Sequence, residues 1–446
     1  MSIAKAFLPT GRASGCHTNL KSPMRTHWGF FCYYVLQDYI KTVIIIPQLM
    51  VAVFCKLLMF NFLEKGVFNM KYIKNAKFIL PYGILENVVL EFDNKICGFL
   101  EEVPENAEVI DANGGYVAPG LIDIHIHGYL GEDTSDGSAD GIYKMANGIM
   151  KNGVTSFCPT TMTVSMEEIN KSLDVVRSLK EKSKKWDGAE ILGVNLEGPF
   201  INPKKKGAQA ETHIKKPDAD FVINNADVIC LATMAPEMEG GCEAIKKITE
   251  NCDVVVSVGH TDATFEETLD GIDAGATHIT HLFNAQTPLH HRNPGVVGAA
   301  LLQDVTTELI ADTFHVHKGI YELLARVKGD NLVLITDCTR AGGMPDGEYS
   351  LGGQPIFVKG VQCLLEDGTI AGSVLKLNNA VKNFRDNTDL PLWKVVSAAS
   401  LNPARAIKVD DRKGSLEAGK DADIIITDSD FNVVKTIIQG ELKYEA

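Results

Sequence analysis

Between residues 119 and 337, short apolar runs alternate with helix-like stretches, and few folds accept that rhythm. The strand-like runs are Leu121–His127, Ser156–Thr163, Ile191–Glu197, Val228–Ala235, Val254–His260, Thr277–Asn284, Thr307–Ala311 and Asn331–Asp337. Helical segments lie between most of them. One opens on Ser165-Met166-Glu167-Glu168, a capping-box pattern, and runs to about Lys182; Glu243–Asn251 and Ile320–Val327 are others. Eight such units fit a (β/α)8 barrel of the TIM type, close to its usual size of about 250 residues. A doubly wound open sheet is the rival, but no Gly-x-Gly-x-x-Gly opens any of these helices. The expected class is therefore α/β, with a barrel over residues 119–404.

The flanks have a different texture. Ala76–Leu80, Asn87–Phe92, Lys95–Leu100 and Tyr116–Ala118 read as short strands separated by turn residues, and so do Ile424–Thr427 and Val433–Gln439. Strand-rich ends around a long middle predict a small β-sandwich domain built from residues 70–118 and 405–446. Residues 1–69 stand apart, with seven Lys/Arg against two Asp/Glu, net +5 of the chain's −14. Their apolar stretch Val43–Leu63 is long enough to span a bilayer, but Pro47, Gln48, Lys56 and Asn61 interrupt it. A lysine inside a span costs roughly 2.5–3.5 kcal/mol, so a membrane anchor is not expected. Met70-Lys71-Tyr72-Ile73 looks like a natural start, and residues 1–69 read as a disordered leader or as translated upstream sequence.

Without its leader the chain carries −19 of charge, which argues against nucleic acid as a partner. A phosphorylated substrate would need a local basic group. The ten cysteines show no Cys-x-x-Cys pair and no framework spacing, so they read as thiols of a reducing compartment.

Chemistry-bearing residues sit at the ends of the strand-like runs. His125 and His127, in Gly120-Leu121-Ile122-Asp123-Ile124-His125-Ile126-His127-Gly128, share one face of a strand and can share one metal. Glu197, His260 and Asp337 end further runs and His281 lies on another, and barrel enzymes keep their chemistry at that rim. Imidazole and carboxylate ligands suit Zn2+, Fe2+, Co2+ or similar ions. Such an ion lowers the pKa of bound water toward about 7 and polarises a carbonyl. Asp337, ending Leu332-Val333-Leu334-Ile335-Thr336-Asp337, is placed to take a proton from that water and pass it to a leaving amine.

Pro119–Gly128 resembles the first-strand motif of the amidohydrolase superfamily. Leu196-Glu197-Gly198-Pro199-Phe200, Gly259-His260-Thr261, Thr280-His281-Leu282-Phe283-Asn284-Ala285 and Ala371-Gly372-Ser373 resemble the N-acetylglucosamine-6-phosphate deacetylases within it. The resemblance covers about residues 70–446. Many other amidohydrolases bridge two metals with a carboxylated lysine of strand 4; Val228–Ala235 has none, and Glu197 resembles the family's substitute.

The resemblance implies Glu197, His260 and His281 as main metal ligands, His125 and His127 as a second metal position, and Asp337 as catalytic base and acid. One ion or two stays open. It further implies that His315 hydrogen-bonds the substrate and steadies the oxyanion. Phe283-Asn284-Ala285 would face the phosphate, as would Ala371-Gly372-Ser373 the substrate, and Arg292 would reach the phosphate in a neighbouring subunit of a homodimer. Gln209 stands where some members have histidine; it can hydrogen-bond sugar hydroxyls but cannot carry a proton. Cys338-Thr339 replaces a frequent Ala-Met. His278, three residues before His281, is expected to face the other way as a packed histidine, and Lys204-Lys205-Lys206 to be a solvated loop.

The expected function is metal-dependent deacetylation of N-acetylglucosamine 6-phosphate in amino-sugar catabolism, in the cytoplasm. Its alternatives are the same chemistry on N-acetylgalactosamine 6-phosphate, a cyclic-amide hydrolase, and a catalytically silent sugar-phosphate-binding barrel.

Overall fold

A computed structural model describes residues 70–446; the expectations for residues 1–69 fall outside the described residues. Eight parallel strands run in chain order around a barrel: Leu121–Ile126, Val154–Thr161, Val194–Glu197, Ile229–Met234, Val255–Val258, His278–Ile279, Thr306–Ile310 and Leu332–Ile335. The eighth meets the first at the upper rim, where Asp337 N–H donates to His125 O at 2.8 Å and His127 N–H donates to Cys338 O at 2.9 Å. That closure sets Asp337 beside the two histidines of the first strand.

Every residue of the first and second barrel strands is buried, as strands covered on both faces require. The helix Met166–Ser183 starts on the expected capping box, with Ser165 and Glu168 each accepting from the other's backbone N–H. Gly241–Asn251 and Tyr321–Lys328 form the other two expected helices. None of the described helices is long and apolar enough to cross a membrane.

Strands from the two ends pair in one six-stranded sheet, joined where Ile424–Thr427 runs antiparallel to Tyr116–Pro119. A four-stranded sheet, led by Lys71–Lys74 and Val89–Phe92, accompanies it. Phe78, Leu90, Phe92, Val117, Ile424 and Ile437 share a hydrophobic core separate from that of the barrel. One element lies outside the sequence reading. The strands Gly347–Leu351, Gln354–Lys359 and Gln362–Leu364 form a small antiparallel sheet after barrel strand 8. It brings Leu351, and the loop beyond it brings Thr369, Ile370 and Gly372, to the mouth of the barrel.

Candidate metal-dependent active site

The upper barrel is filled with polar groups. Thr336 Oγ1 donates to Asp123 Oδ2 at 2.6 Å, Ser257 and Thr280 hydroxyls meet at 2.6 Å, and Asn195 Nδ2 donates to Ile124 O at 3.0 Å. Burial pushes the Asp123 carboxyl up to about 7, against the hydrogen bond from Thr336.

Above this layer the strand-end residues converge. Glu197 Oε1 lies 3.1 Å from His260 Nε2 and 2.9 Å from His281 Nε2, and those two nitrogens are 3.1 Å apart. On the other side, His125 Nε2 is 3.3 Å from Glu197 Oε1, and His127 Nε2 is 3.2 Å from both Glu197 Oε2 and Asp337 Oδ1. Two three-residue groups result, each with ligand atoms within 4.8 Å of one another: Glu197, His260, His281 and His125, His127, Glu197. Four-coordinate ions with ligands at about 2.0–2.1 Å separate them by roughly 3.3 Å, so this spacing fits. Burial disfavours a charged imidazole at His127, yet hydrogen bonds to Asp337 and Glu197 push it up to about 9. Burial alone would raise the Glu197 and Asp337 carboxyls; the facing histidines hold Glu197 well below the usual range and Asp337 below it.

Three of the four rings are held by their other nitrogens, while His127 Nδ1 is buried without a partner. His260 Nδ1 donates to Lys205 O at 2.8 Å and His281 Nδ1 to Asn284 O at 3.2 Å, while His125 Nδ1 donates to Glu308 Oε2 at 2.9 Å. An acceptor at Nδ1 puts the proton there and leaves the Nε2 lone pair for a metal. His125 Nε2 has no hydrogen-bond partner although it is buried. This donor set fits a divalent cation.

Backbone geometry aims three of these side chains. His260, His281 and Asp337 have φ of 47°, 24° and 50°, left-handed values that turn each residue off its strand. The sixth strand therefore stops at Ile279, well short of the predicted Asn284. The same short strand corrects the reading of His278. It is buried as expected, but its Nε2 lies 3.1 Å from Glu308 Oε1 inside the barrel, so it does not face away from the site.

A cavity of about 300 Å3 opens over the ligands. His127, Glu197, Gln209, His260, His281, Asn284, Ala285, His315, Asp337 and Gly372 line it. Gln209 faces the cavity with its amide engaged, Nε2 donating to Glu197 Oε2 at 2.7 Å and Oε1 accepting from Thr163 N–H at 2.6 Å. His315 Nδ1 donates to Asp312 Oδ2 at 2.6 Å. Ala371 and Ser373 do not reach the cavity wall; Ser373 Oγ donates to Thr336 O at 2.6 Å and its N–H to Asp337 O at 2.8 Å. Arg292 lies outside the cavity on an exposed loop, its Nη1 at 2.9 Å from His291 Nε2. Lys204 Nζ pairs with Asp262 at 3.0 Å and is largely solvated. Sequence reading missed Glu308 and Asp312, although an acid inside the apolar run Thr307–Ala311 was a visible signal.

Barrel strand 4, Ile229–Met234, holds no lysine that could bridge two ions. The model of the amidohydrolase family matches residues 116–443. N-acetylglucosamine-6-phosphate deacetylase of Bacillus subtilis is 40% identical over 383 residues, covering 83% of this chain and 96% of that protein. N-acetylgalactosamine-6-phosphate deacetylase of Escherichia coli O157:H7 is 35% identical, covering 83% and 98%. The solved N-acetylglucosamine-6-phosphate deacetylase of Pasteurella multocida superposes with a TM-score of 0.81 at 33% identity, over 84% of this chain and all of that one. The chain therefore belongs to the amidohydrolase family, and within it to the N-acetylglucosamine-6-phosphate deacetylases.

Proposed function

We propose that this chain hydrolyses the acetamide of N-acetylglucosamine 6-phosphate to glucosamine 6-phosphate and acetate, in amino-sugar catabolism. The observation that carries it is the meeting of Glu197, His260 and His281 about one point, with the Asp337 carboxylate facing the same space. Those three residues would hold one divalent ion, and His125 and His127 with Glu197 a second. The ion, when bound, activates a water and polarises the acetamide carbonyl.

The remaining work falls to side chains. Asp337, kept ionised by its histidine neighbours, accepts the proton of the attacking water and delivers it to the amine as the C–N bond breaks. His315 presents Nε2 to the carbonyl oxygen as charge grows there, its ring held from Nδ1 by Asp312. Asn284 and Ala285 stand where they can bind the phosphate. No Lys or Arg is among the described residues lining the cavity. That fits a phosphate held by Arg292 of a second copy, which makes the working unit a homodimer. Phosphorylated amino sugars are intracellular, which places the enzyme in the cytoplasm, and the seven cysteines among the described residues, all free thiols, accord with that setting.

Acetate release from N-acetylglucosamine 6-phosphate, with and without chelator, tests the reading. Asp337→Asn should lower kcat by about 10²–10⁴-fold with the metal retained; near-normal turnover refutes it. The second reading, N-acetylgalactosamine 6-phosphate, draws on the likeness to the galactosamine enzyme. Side-by-side kcat/KM values decide between the epimers.

A further inference from the structure

Glu308 is a buried carboxylate behind the metal-ligand layer that touches two residues of that layer, His125 and His281, and the packed His278. It lies in the middle of barrel strand 7, fully buried. Its Oε2 accepts from His125 Nδ1 at 2.9 Å and from the backbone N–H of His281 at 2.9 Å. Its Oε1 is 3.1 Å from His278 Nε2, and His278 is fixed in turn by Thr306 Oγ1 at 2.6 Å from Nδ1.

The three orienting acceptors differ in kind. His260 and His281 use carbonyls of the Lys205 and Asn284 loops, which have no ladder partner to serve. His125 lies within a strand whose carbonyls are already engaged: Ile124 O accepts from Asn195 Nδ2 and His125 O from Asp337 N–H. The acceptor that orients that ring is accordingly a side chain of another strand.

We propose that Glu308 is the positioning residue that makes His125 a metal ligand and so creates the second ion position. This rests on the metal-dependent reading of the site. By taking the Nδ1 proton, Glu308 leaves His125 with a bare Nε2, 3.3 Å from Glu197 Oε1 and 3.7 Å from Asp337 Oδ1. By holding the His281 N–H it ties the same carboxylate to the first ion position. Without that acceptor the ring can take the other tautomer, place its proton at Nε2 and close the second position.

The test is ion binding to the full chain, stripped of metal and titrated with Zn2+ alone. The unsubstituted protein should take up two equivalents. Glu308→Leu should weaken the second by about 10–100-fold and leave the first within a few-fold. Glu308→Gln, whose amide oxygen can still accept at Nδ1, should restore it. A purely structural role would lower thermal stability in the leucine variant without separating the two equivalents. Two unweakened equivalents in Glu308→Leu, or a single equivalent in the unsubstituted protein, overturn the proposal. Should the leucine variant not fold, the unsubstituted protein labelled with 15N-histidine and loaded with 113Cd answers instead. His125 should then show a protonated Nδ1 and cadmium coupling at Nε2; coupling at Nδ1 overturns the proposal. Ion uptake needs no substrate, so its outcome is separate from whether acetate is released.

Discussion

Gly372→Ala offers a direct test of how Asp337, the proposed catalytic carboxylate, is held. Gly372 has φ of +58°, and a Cβ there would lie 2.7 Å from Thr339 Cγ2, 2.9 Å from the Asp337 carbonyl oxygen and 3.6 Å from Asp337 Oδ1. The left-handed backbone alone costs an alanine about 1–2 kcal/mol. The two close contacts add overpacking of about 1–3 kcal/mol unless the backbone yields. The contact that no side-chain rotation can relieve is with the Asp337 carbonyl, which accepts from Ser373 N–H at 2.8 Å while Asp337 N–H donates to His125 O at 2.8 Å. Relief must therefore come from a small shift of Asp337 itself. Misplacement of a reacting group by about 1 Å can cost 10²-fold, so a shift of a few tenths should lower kcat by roughly tenfold or more. The assay is acetate release at saturating N-acetylglucosamine 6-phosphate, with metal content and thermal unfolding measured on the same preparation. Lower kcat with full metal is the expected result. A lowered melting temperature with unchanged kcat would refute the idea that this loop positions Asp337.

Three further outcomes follow from the structure. Asp312→Asn keeps the acceptor for the Phe314 and His315 backbone but loses the one at His315 Nδ1, and should lower kcat by about 10²-fold with KM little changed; an unaltered kcat would remove His315 from the reaction. Co-expressed Asp337→Asn and Arg292→Ala chains should recover about a quarter of native activity if each site borrows Arg292 from its partner, and no recovery would reject the shared site. Lys413, only 1% exposed, pairs with Glu190 at 2.6 Å, Asp421 at 2.9 Å and Asp423 at 2.5 Å, so Lys413→Met should cost about 3–5 kcal/mol at neutral pH in chemical denaturation. Burial would raise Asp421, but Lys413 and Lys95 bring it down to about 2 from its ordinary 3.8. That contribution is present above the ordinary value and lost as pH falls through about 2, so the deficit in Lys413→Met should shrink over that window. A deficit independent of pH would contradict the pairing.

The barrel was legible because strands buried on both faces are predominantly apolar, with polar groups gathered toward one end, and a helix usually follows before the next parallel strand. Predicted and observed strands such as Val228–Ala235 and Ile229–Met234 differ by one residue at each end. The small sheet over the mouth lacks that constraint. Its central strand Gln354–Lys359 is buried on one face only, with Ile356 and Val358 inward and Phe357 exposed, so it carries no long buried run to mark it. A readable signal did exist in Gly352-Gly353, both at positive φ, the pair favoured in a tight hairpin between Leu351 and Gln354.

The site shows where pattern reading stops. Residue types at strand ends mark the proposed metal-binding set, because carboxylate and imidazole have few reasons to end an apolar run. Their aim is set by conformations that composition does not encode. His260, His281 and Asp337 all sit at left-handed φ, each unfavourable by about 1–2 kcal/mol for a residue with a Cβ. Loop hydrogen bonds hold the three: Asn202 N–H to His260 O at 2.9 Å, Asn284 N–H to His281 O at 3.0 Å, and Ser373 N–H to Asp337 O at 2.8 Å. This gives the loop motifs a physical task. Ser373 stands outside the cavity, yet it secures the turn from which Asp337 projects, and Asn284 both lines the cavity and closes the turn at His281. A substitution in those loops should disturb chemistry before it disturbs the barrel, because the strained rim depends on the loops and the strand ladder beneath it does not.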